Sequence, residues 1–291
     1  MFKGFSRSVI GASHVKKGIV CQDSSDYRTG NGYAVSVVAD GHGSKKHFRS
    51  HIGSAFAVES AIETIERFYE DKERLERELT ENHEMIIHNM EKQIIAVWHD
   101  KVVEHFADNP VTEDEKRSFT EDEFNKIAVE SYYGTTLVTA VTGENYTFGF
   151  QIGDGSLVAV FDNGETAMLM DYEESNPANI TASICSKNSA SMFSSFFVDN
   201  KKVIAVFVST DGLYTSFGKD SDFLDYHTII ASQLDDIDTF EASVVKNITK
   251  RTHFGTEDDI SLSCIYNSEL VREKSLTLKE KIAEKRKKAV K

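Results

Sequence analysis

Proline is almost missing from this chain: its 291 residues include only Pro110 and Pro177. That excludes a Pro-rich linker between domains. Cysteine is scarce too. Cys21, Cys185 and Cys264 are widely spaced and form no Cys-x-x-Cys pair. This excludes a disulfide framework and a cysteine-based zinc site, and it points to a reducing compartment. No apolar run approaches the roughly 20 residues needed to span a bilayer. The opening MFKGFSRSVIGASH also lacks the apolar core of a signal peptide. The expectation is a soluble, cytoplasmic protein with no membrane partner. Positive charge is short as well, with 33 Lys and Arg against 47 Asp and Glu for a net of −14. Such a balance disfavours nucleic acid as a partner. The deficit is uneven. Residues 272–291 hold nine Lys or Arg against three Glu, a net of +6, which leaves −20 on the other 271 residues. A basic end of this kind reads as a helix packed on the acidic body, with a loose interaction arm as the other reading.

What is present suffices for a core. Hydrophobic residues make up 40% and aromatics 10%, which excludes global disorder. Residues 1–43 read as short strands with turns, including SVIGASH and GYAVSVVAD. From about Ser44 to residue 106 the apolar period is helical and predicts a helix pair. The charge-rich DKERLERELTENHE within it reads as a helix hairpin or a solvated helical face. Residues 107–126 are acidic and poor in apolar side chains, so a surface loop is expected. Strands return in GTTLVTAVTG, NYTFGFQIGDG, SLVAVFDNG and TAMLMD, with turns at Gly-Glu-Asn and Asp-Asn-Gly. A Ser- and Asn-rich segment at about 171–200 reads as a flap-like loop. VIAVFVSTDG is a strand, residues 223–250 are helical, and DDISLSCIY is the last strand. This order predicts an α+β fold, a sandwich of packed sheets with helices covering the outer faces. One catalytic domain over 1–267 and a basic C-terminal helix or tail over 268–291 are expected.

Strands repeatedly end on carboxylates. Asp23 lies in CQDSS, Asp40 ends VSVVADGHG, Asp154 ends FGFQIGDG, Asp211 ends VFVSTDG, and Asp258 and Asp259 open DDISLS. Any one Asp-Gly is ordinary turn chemistry. Five strand ends brought to one edge would instead repel unless cations neutralised them. Oxygen donors with little Cys or His suit Mg²⁺ or Mn²⁺. Two such ions can make a bridging water a nucleophile near neutral pH, which suits phosphate ester hydrolysis.

The order and wording of these segments resemble the metal-dependent serine/threonine protein phosphatases of the protein phosphatase 2C family, over roughly residues 8–267. The matching words are GASHVKKGIVCQDSS, VADGHG, YYGTTLV, FQIGDGS, VSTDGLY and EDDISLSCIY, in family order. The opening one most resembles a bacterial branch. The resemblance implies a four-layer α-β-β-α sandwich of two mainly antiparallel sheets flanked by helix pairs. It implies two Mn²⁺ or Mg²⁺ ions and a third, weaker one. Asp40 would bridge the two ions, with the Gly41 carbonyl as a further ligand. Asp211 and Asp258 would complete the first site. Asp23 would serve the second, as ligand or by orienting its waters, and Asp154 with Asp211 the third. Gly41 would let its backbone approach an ion, and Gly43 would let the chain turn into the helix. A hydroxide bridging the metals would attack phosphorus directly. His42 matches a general acid for the departing oxygen, and a hydrogen-bonded turn histidine is the equal alternative. Gly134, Thr135 and Thr136 read as strand geometry, and Asp259 as a turn residue or one behind the ligands.

Two departures stand out. Gln22 replaces a common Glu, which removes one negative charge at the second ion. Gly18 occupies the place of a phosphate-binding Arg, and His14, Lys16 or Lys17 would have to supply that charge. The expected partners are a phosphorylated protein substrate and an opposing Ser/Thr kinase system, with the chain itself a monomer. Cys21 has no Cys-x5-Arg loop around it, which argues against a cysteine phosphatase. The alternative function is a pseudophosphatase acting as a phosphoprotein-binding scaffold. A metal-dependent nuclease fits the acidic charge poorly.

Overall fold

Every residue of YAVSVVA, from Tyr33 to Ala39, is buried. A strand buried on both faces needs a cover on each side. The computed structural model, which describes residues 1–170 and 181–289, supplies both covers. Among the described residues ten strands form, β1 (Phe2–Val9), β2 (Ser24–Gly30), β3 (Tyr33–Ala39), β4 (Leu137–Gly143), β5 (Thr147–Ile152), β6 (Ser156–Phe161), β7 (Thr166–Met168), β8 (Ser194–Val198), β9 (Val203–Ser209) and β10 (Ile260–Asn267). They pair antiparallel into two five-stranded sheets, β1-β10-β9-β6-β7 and β2-β3-β4-β5-β8.

The helices are α1 (Ala12–Lys17), α2 (Ser50–Tyr69), α3 (Lys72–Asp108), α4 (Glu113–Lys116), α5 (Glu121–Phe124), α6 (Val129–Tyr132), α7 (Asp211–Tyr214), α8 (Asp220–Ala231), α9 (Ile237–Phe254) and α10 (Ser268–Ala289). Strand alternation sorts the side chains into layers. Val35, Val37 and Ala39 of β3 face α2 and α3, where they meet Ala61, Ile65, Met90 and Trp98. Ala34 and Val38 face the other sheet and pack with Val138, Leu157, Val206 and Val208. On the far side Val158, Ile204 and Phe207 pack against Phe223, Ile230, Phe240 and Val244 of α8 and α9. The result is the expected α-β-β-α sandwich. Ser36 and Ser263, the polar pair in the central layer, satisfy each other through a 2.7 Å hydrogen bond.

Several local expectations need correction. SVIGASH is not one strand: β1 stops at Val9, and GASHVKK turns into α1, which ends at the left-handed Gly18. The acidic stretch 107–126 is more than a loop. It carries α4 and α5, each started by a Thr–Glu capping box (Thr112 with Glu115, Thr120 with Glu123). The charged DKERLERELTENHE is the first part of α3, which breaks at Asn82. There the Asn82 side chain accepts from Met85 N–H at 3.1 Å and so caps the helix that resumes. Of the flap-like segment, 171–180 lies outside the described residues, while 181–200 contains edge strand β8 on β5. The basic end is helical, and Val271 and Leu278 of α10 are buried with α8 residues in the core of that side. No helix among the described residues is long and apolar enough to cross a membrane.

Candidate active site

Asp40 follows directly on β3, and β4 fixes it there. Thr135 Oγ1 donates to the Asp40 carbonyl at 2.8 Å, Thr136 N–H does the same at 2.8 Å, and Asp40 N–H donates to Thr136 Oγ1 at 3.0 Å. The Gly-Thr-Thr word is therefore a clamp on the Asp40 backbone and not strand geometry alone. Gly41 pairs across to Thr135. A Cβ there would lie 2.6 Å from the Gln22 carbonyl and 2.8 Å from the Ser50 carbonyl, so close packing of three backbones requires the glycine. Gly43 differs from expectation: it has no left-handed φ, and a Cβ would find only Gln22 Oε1 at 3.7 Å.

The strand ends converge. Asp23, buried just before β2, accepts from Thr210 Oγ1 at 2.8 Å. Thr210 precedes Asp211, at the junction of β9 and α7, and its Oγ1 also accepts from Ser261 N–H of β10. One threonine thus ties three strand ends together. The carboxyls of Asp40 and Asp211 are close enough to hydrogen-bond to each other. Burial, then the charges of Asp23, Asp211 and Asp258, hold Asp40 well above the usual carboxylate range. Burial and Asp259 do the same to Asp23. Burial and Asp154 push Asp211 up to about 6, against the lowering effect of its contact with Asp40. Asp154, after β5, accepts from Thr181 Oγ1 at 2.9 Å. Asp258 is exposed and caps its own turn, accepting from Asp259 N–H at 2.8 Å. Asp23, Asp211 and Asp258 thus act on Asp40, and Asp154 and Asp258 on Asp211, while the trio whose ligand atoms lie within 4.8 Å of one another among the described residues is His14, Asp258 and Asp259.

Asp259 is a hub behind them. Its Oδ1 accepts from Gly11 N–H at 2.6 Å and contacts His14 Nδ1 at 3.0 Å, while Oδ2 accepts from Gln22 N–H at 2.6 Å. His14 is therefore committed to Asp259. Lys16 is exposed and paired with Glu257 at 2.9 Å, and Lys17 is exposed at the end of α1. Gln22 turns its amide toward α2, where Nε2 donates to Ser50 Oγ at 2.8 Å. His42 is mostly buried, donates its N–H to the Gly134 carbonyl at 3.1 Å, and packs its ring 4.9 Å from that of His47. Burial and then the Lys46 charge lower it to about 4, so its imidazole is neutral near pH 7. His47, which sequence reasoning misses, bonds through Nδ1 to the Ser131 carbonyl. Burial, then Asp23 and Asp259, push the Cys21 thiol up, the opposite of what a nucleophilic thiolate requires.

Among the described residues no Lys or Arg pairs with any of the five carboxylates. Buried carboxylates without a protein cation are a poor arrangement on their own. An all-oxygen donor set of this kind fits hard divalent cations.

The sequence matches the family profile described as Protein phosphatase 2C over residues 10–247. No curated protein matches the chain. Its fold is similar to those of solved structures. One is the serine/threonine phosphatase Stp1 from Staphylococcus aureus, 14% identical with a TM-score of 0.56, covering 92% of this chain and 95% of that one. Another is the Mycobacterium tuberculosis serine/threonine phosphatase PstP/Ppp, 15% identical with a TM-score of 0.52, covering 91% and 98%. A third is the catalytic domain of PstP in complex with two manganese ions, 14% identical with a TM-score of 0.53, covering 91% and 97%.

Proposed function

Because the chain belongs to the protein phosphatase 2C family, a family of serine/threonine protein phosphatases, we propose that it hydrolyses phosphoserine and phosphothreonine esters in protein substrates with Mn²⁺ or Mg²⁺ as cofactor. The observation that carries this reading is the cluster of five carboxylates at strand ends with no protein cation among them. Asp40, Asp211, Asp258 and the Gly41 carbonyl would hold a first ion. Asp40 and Asp23 would hold a second, and Asp154 with Asp211 a third, weaker one. When bound, such ions offset the carboxylate charge and lower the pKa of a water enough to make it a nucleophile near neutral pH.

The chain's own residues keep the cluster in place. Thr135 and Thr136 fix the Asp40 backbone, and Thr210 orients Asp23. Asp259 ties Gln22, and with it the approach to Asp23, to α1. His42 lies two residues beyond Asp40, and in its protonated form it would be the donor to the departing serine or threonine oxygen. In this reading residues 1–267 are the catalytic unit, and the opposing partner is a Ser/Thr kinase system. The scaffold alternative leans on Gln22 and Gly18. Gln22 has a structural occupation, its bond to Ser50, and so gives a scaffold no support.

The test is phosphate release from p-nitrophenyl phosphate and a phosphothreonine peptide with Mn²⁺, Mg²⁺ or EDTA. Release that needs the metal and disappears in Asp40→Asn supports the reading. Release equal in wild type and variant contradicts it.

A further inference from the structure

Asp258 lies in the short connection between α9 and β10, and the residue before it has an unusual backbone. Glu257 has a φ of 60°, the only non-glycine residue with a positive φ among the described residues. That conformation is unfavourable for a residue with a Cβ, so it persists only where the surrounding structure holds it. The Glu257 side chain contributes little to the hold. Its ion pair with Lys16, at 2.9 Å, joins two exposed groups.

The hold comes from contact with the start of α1. Ser13 N–H donates to the Glu257 carbonyl at 2.9 Å. Gly11 N–H and His14 Nδ1 both meet Asp259 Oδ1, at 2.6 and 3.0 Å. A Cβ on Gly11 would lie 2.5 Å from the Glu257 carbonyl oxygen and 2.7 Å from the Asp259 nitrogen. Gly11 itself has φ −66° and ψ 145°, a conformation open to any residue. Its glycine therefore answers to the close approach of the 257–259 backbone and not to its own dihedrals. On the other side, Asp259 N–H closes the turn onto Asp258 Oδ1 at 2.8 Å, and Ile260 pairs with Val9 as β10 begins. Three consecutive residues thus have separate tasks. Glu257 turns the chain, and Asp259 is fastened to α1 and to the Gln22 N–H next to Asp23. Asp258, between them, is left exposed, with a carboxylate oxygen within 4.8 Å of ligand atoms of His14 and Asp259.

We propose that the left-handed turn at Glu257, held by α1, is the positioning element that presents the Asp258 carboxylate to a divalent cation. This rests on the metal-dependent reading of the site. The experiment measures Mn²⁺ affinity of the full chain by calorimetry, below each variant's thermal midpoint, and phosphate release beside it. Glu257→Val introduces a β-branched residue that resists a positive φ, and should weaken Mn²⁺ binding about tenfold, the scale of losing support behind a metal ligand. Gly11→Ala should do the same, because its Cβ pushes the 257–259 backbone away from α1. Glu257→Gly and Glu257→Asn accept the left-handed conformation and should bind Mn²⁺ within about twofold of wild type. Glu257→Gln, which loses only the exposed ion pair, should match them. Should Glu257→Val and Gly11→Ala fail to fold, Glu257→Gly still decides: it should keep Mn²⁺ affinity and raise the thermal midpoint in EDTA, since it relieves the strained φ. Wild-type Mn²⁺ affinity in Glu257→Val would overturn the assignment. So would equal losses in Glu257→Val and Glu257→Gly, or a lowered midpoint in Glu257→Gly. Mn²⁺ binding without phosphate release by the wild type would end the phosphatase reading and leave this assignment standing, whereas no Mn²⁺ binding at all would overturn both.

Discussion

Glu115→Gln is expected to destabilise the protein by about 2 kcal/mol, because it strips the partner from a buried arginine. The Arg49 side chain is 5% exposed. Its Nε donates to Glu115 Oε1 at 2.7 Å and one terminal nitrogen to Oε2 at 3.0 Å, a bidentate pair. The other terminal nitrogen donates to the Asn109 carbonyl at 2.8 Å and to the Tyr133 hydroxyl at 2.9 Å. This node pins the acidic α4 segment to the start of α2, next to the Asp40 loop. Partial burial works against ionisation of Glu115. The Arg49 bonds and the Thr112 donors outweigh it and hold the carboxyl at about 2, against an ordinary value of 4.5. That gap corresponds to about 3 kcal/mol. The Glu115 side chain is 24% exposed, so solvent screening reduces the figure to about 2 kcal/mol. The sign follows from linkage. A depressed folded-state pKa stabilises above the unfolded value, so the contribution is whole above about pH 5 and disappears as pH falls toward 2. Denaturant or thermal unfolding at pH 7 should show a loss of roughly 4 °C for Glu115→Gln, at about 2 °C per kcal/mol for a chain of this size. At pH 2.5 the variant and wild type should nearly coincide. An equal deficit at both pH values, or none at pH 7, would refute the reasoning.

In EDTA at pH 7.5, Asp211→Asn should raise thermal stability while abolishing phosphate release. The difference between 3.8 and about 6 for this carboxyl corresponds to roughly 3 kcal/mol held against the ionised form. Because that pKa is raised, the metal-free wild type should lose stability as pH rises from about 4 to 6, a slope the variant lacks. An unchanged or lower midpoint in EDTA contradicts this. Gly41→Ala should cost about 1–3 kcal/mol in unfolding free energy, since its Cβ would press on two backbone carbonyls. A wild-type midpoint for that variant would remove the packing explanation. His42→Asn should lower kcat on the phosphothreonine peptide but spare p-nitrophenyl phosphate, whose leaving group is stable as an anion. Equal losses on both substrates would deny His42 the proton-donor role.

The layer order is readable because strands such as VIAVFVS and YAVSVVA are buried on both faces, and that burial shows in composition. Edge strand β8 is not readable, because SSFFV is half exposed and its serines imitate a loop. The single-turn helices α4 and α5 are readable in principle. Thr-x-x-Glu occurs at both starts, but the acidic, apolar-poor surroundings mask it. In the site, the carboxylates that converge are visible as strand endings. Their supports are not, because Thr210 bonds across 187 residues to Asp23 and Asp259 across 248 residues to Gly11. Local pattern carries no information at that separation. The same limit hides the commitments of His14 and Lys16, which look free to bind phosphate in the sequence.

Metal-dependent phosphate release from a phosphothreonine peptide, compared between wild type and Asp40→Asn, tests the central claim most directly. The account requires release by wild type with Mn²⁺ or Mg²⁺, none in EDTA, and a loss of at least about a hundredfold in the variant. Phosphate release that survives EDTA, or that Asp40→Asn leaves intact, would contradict it.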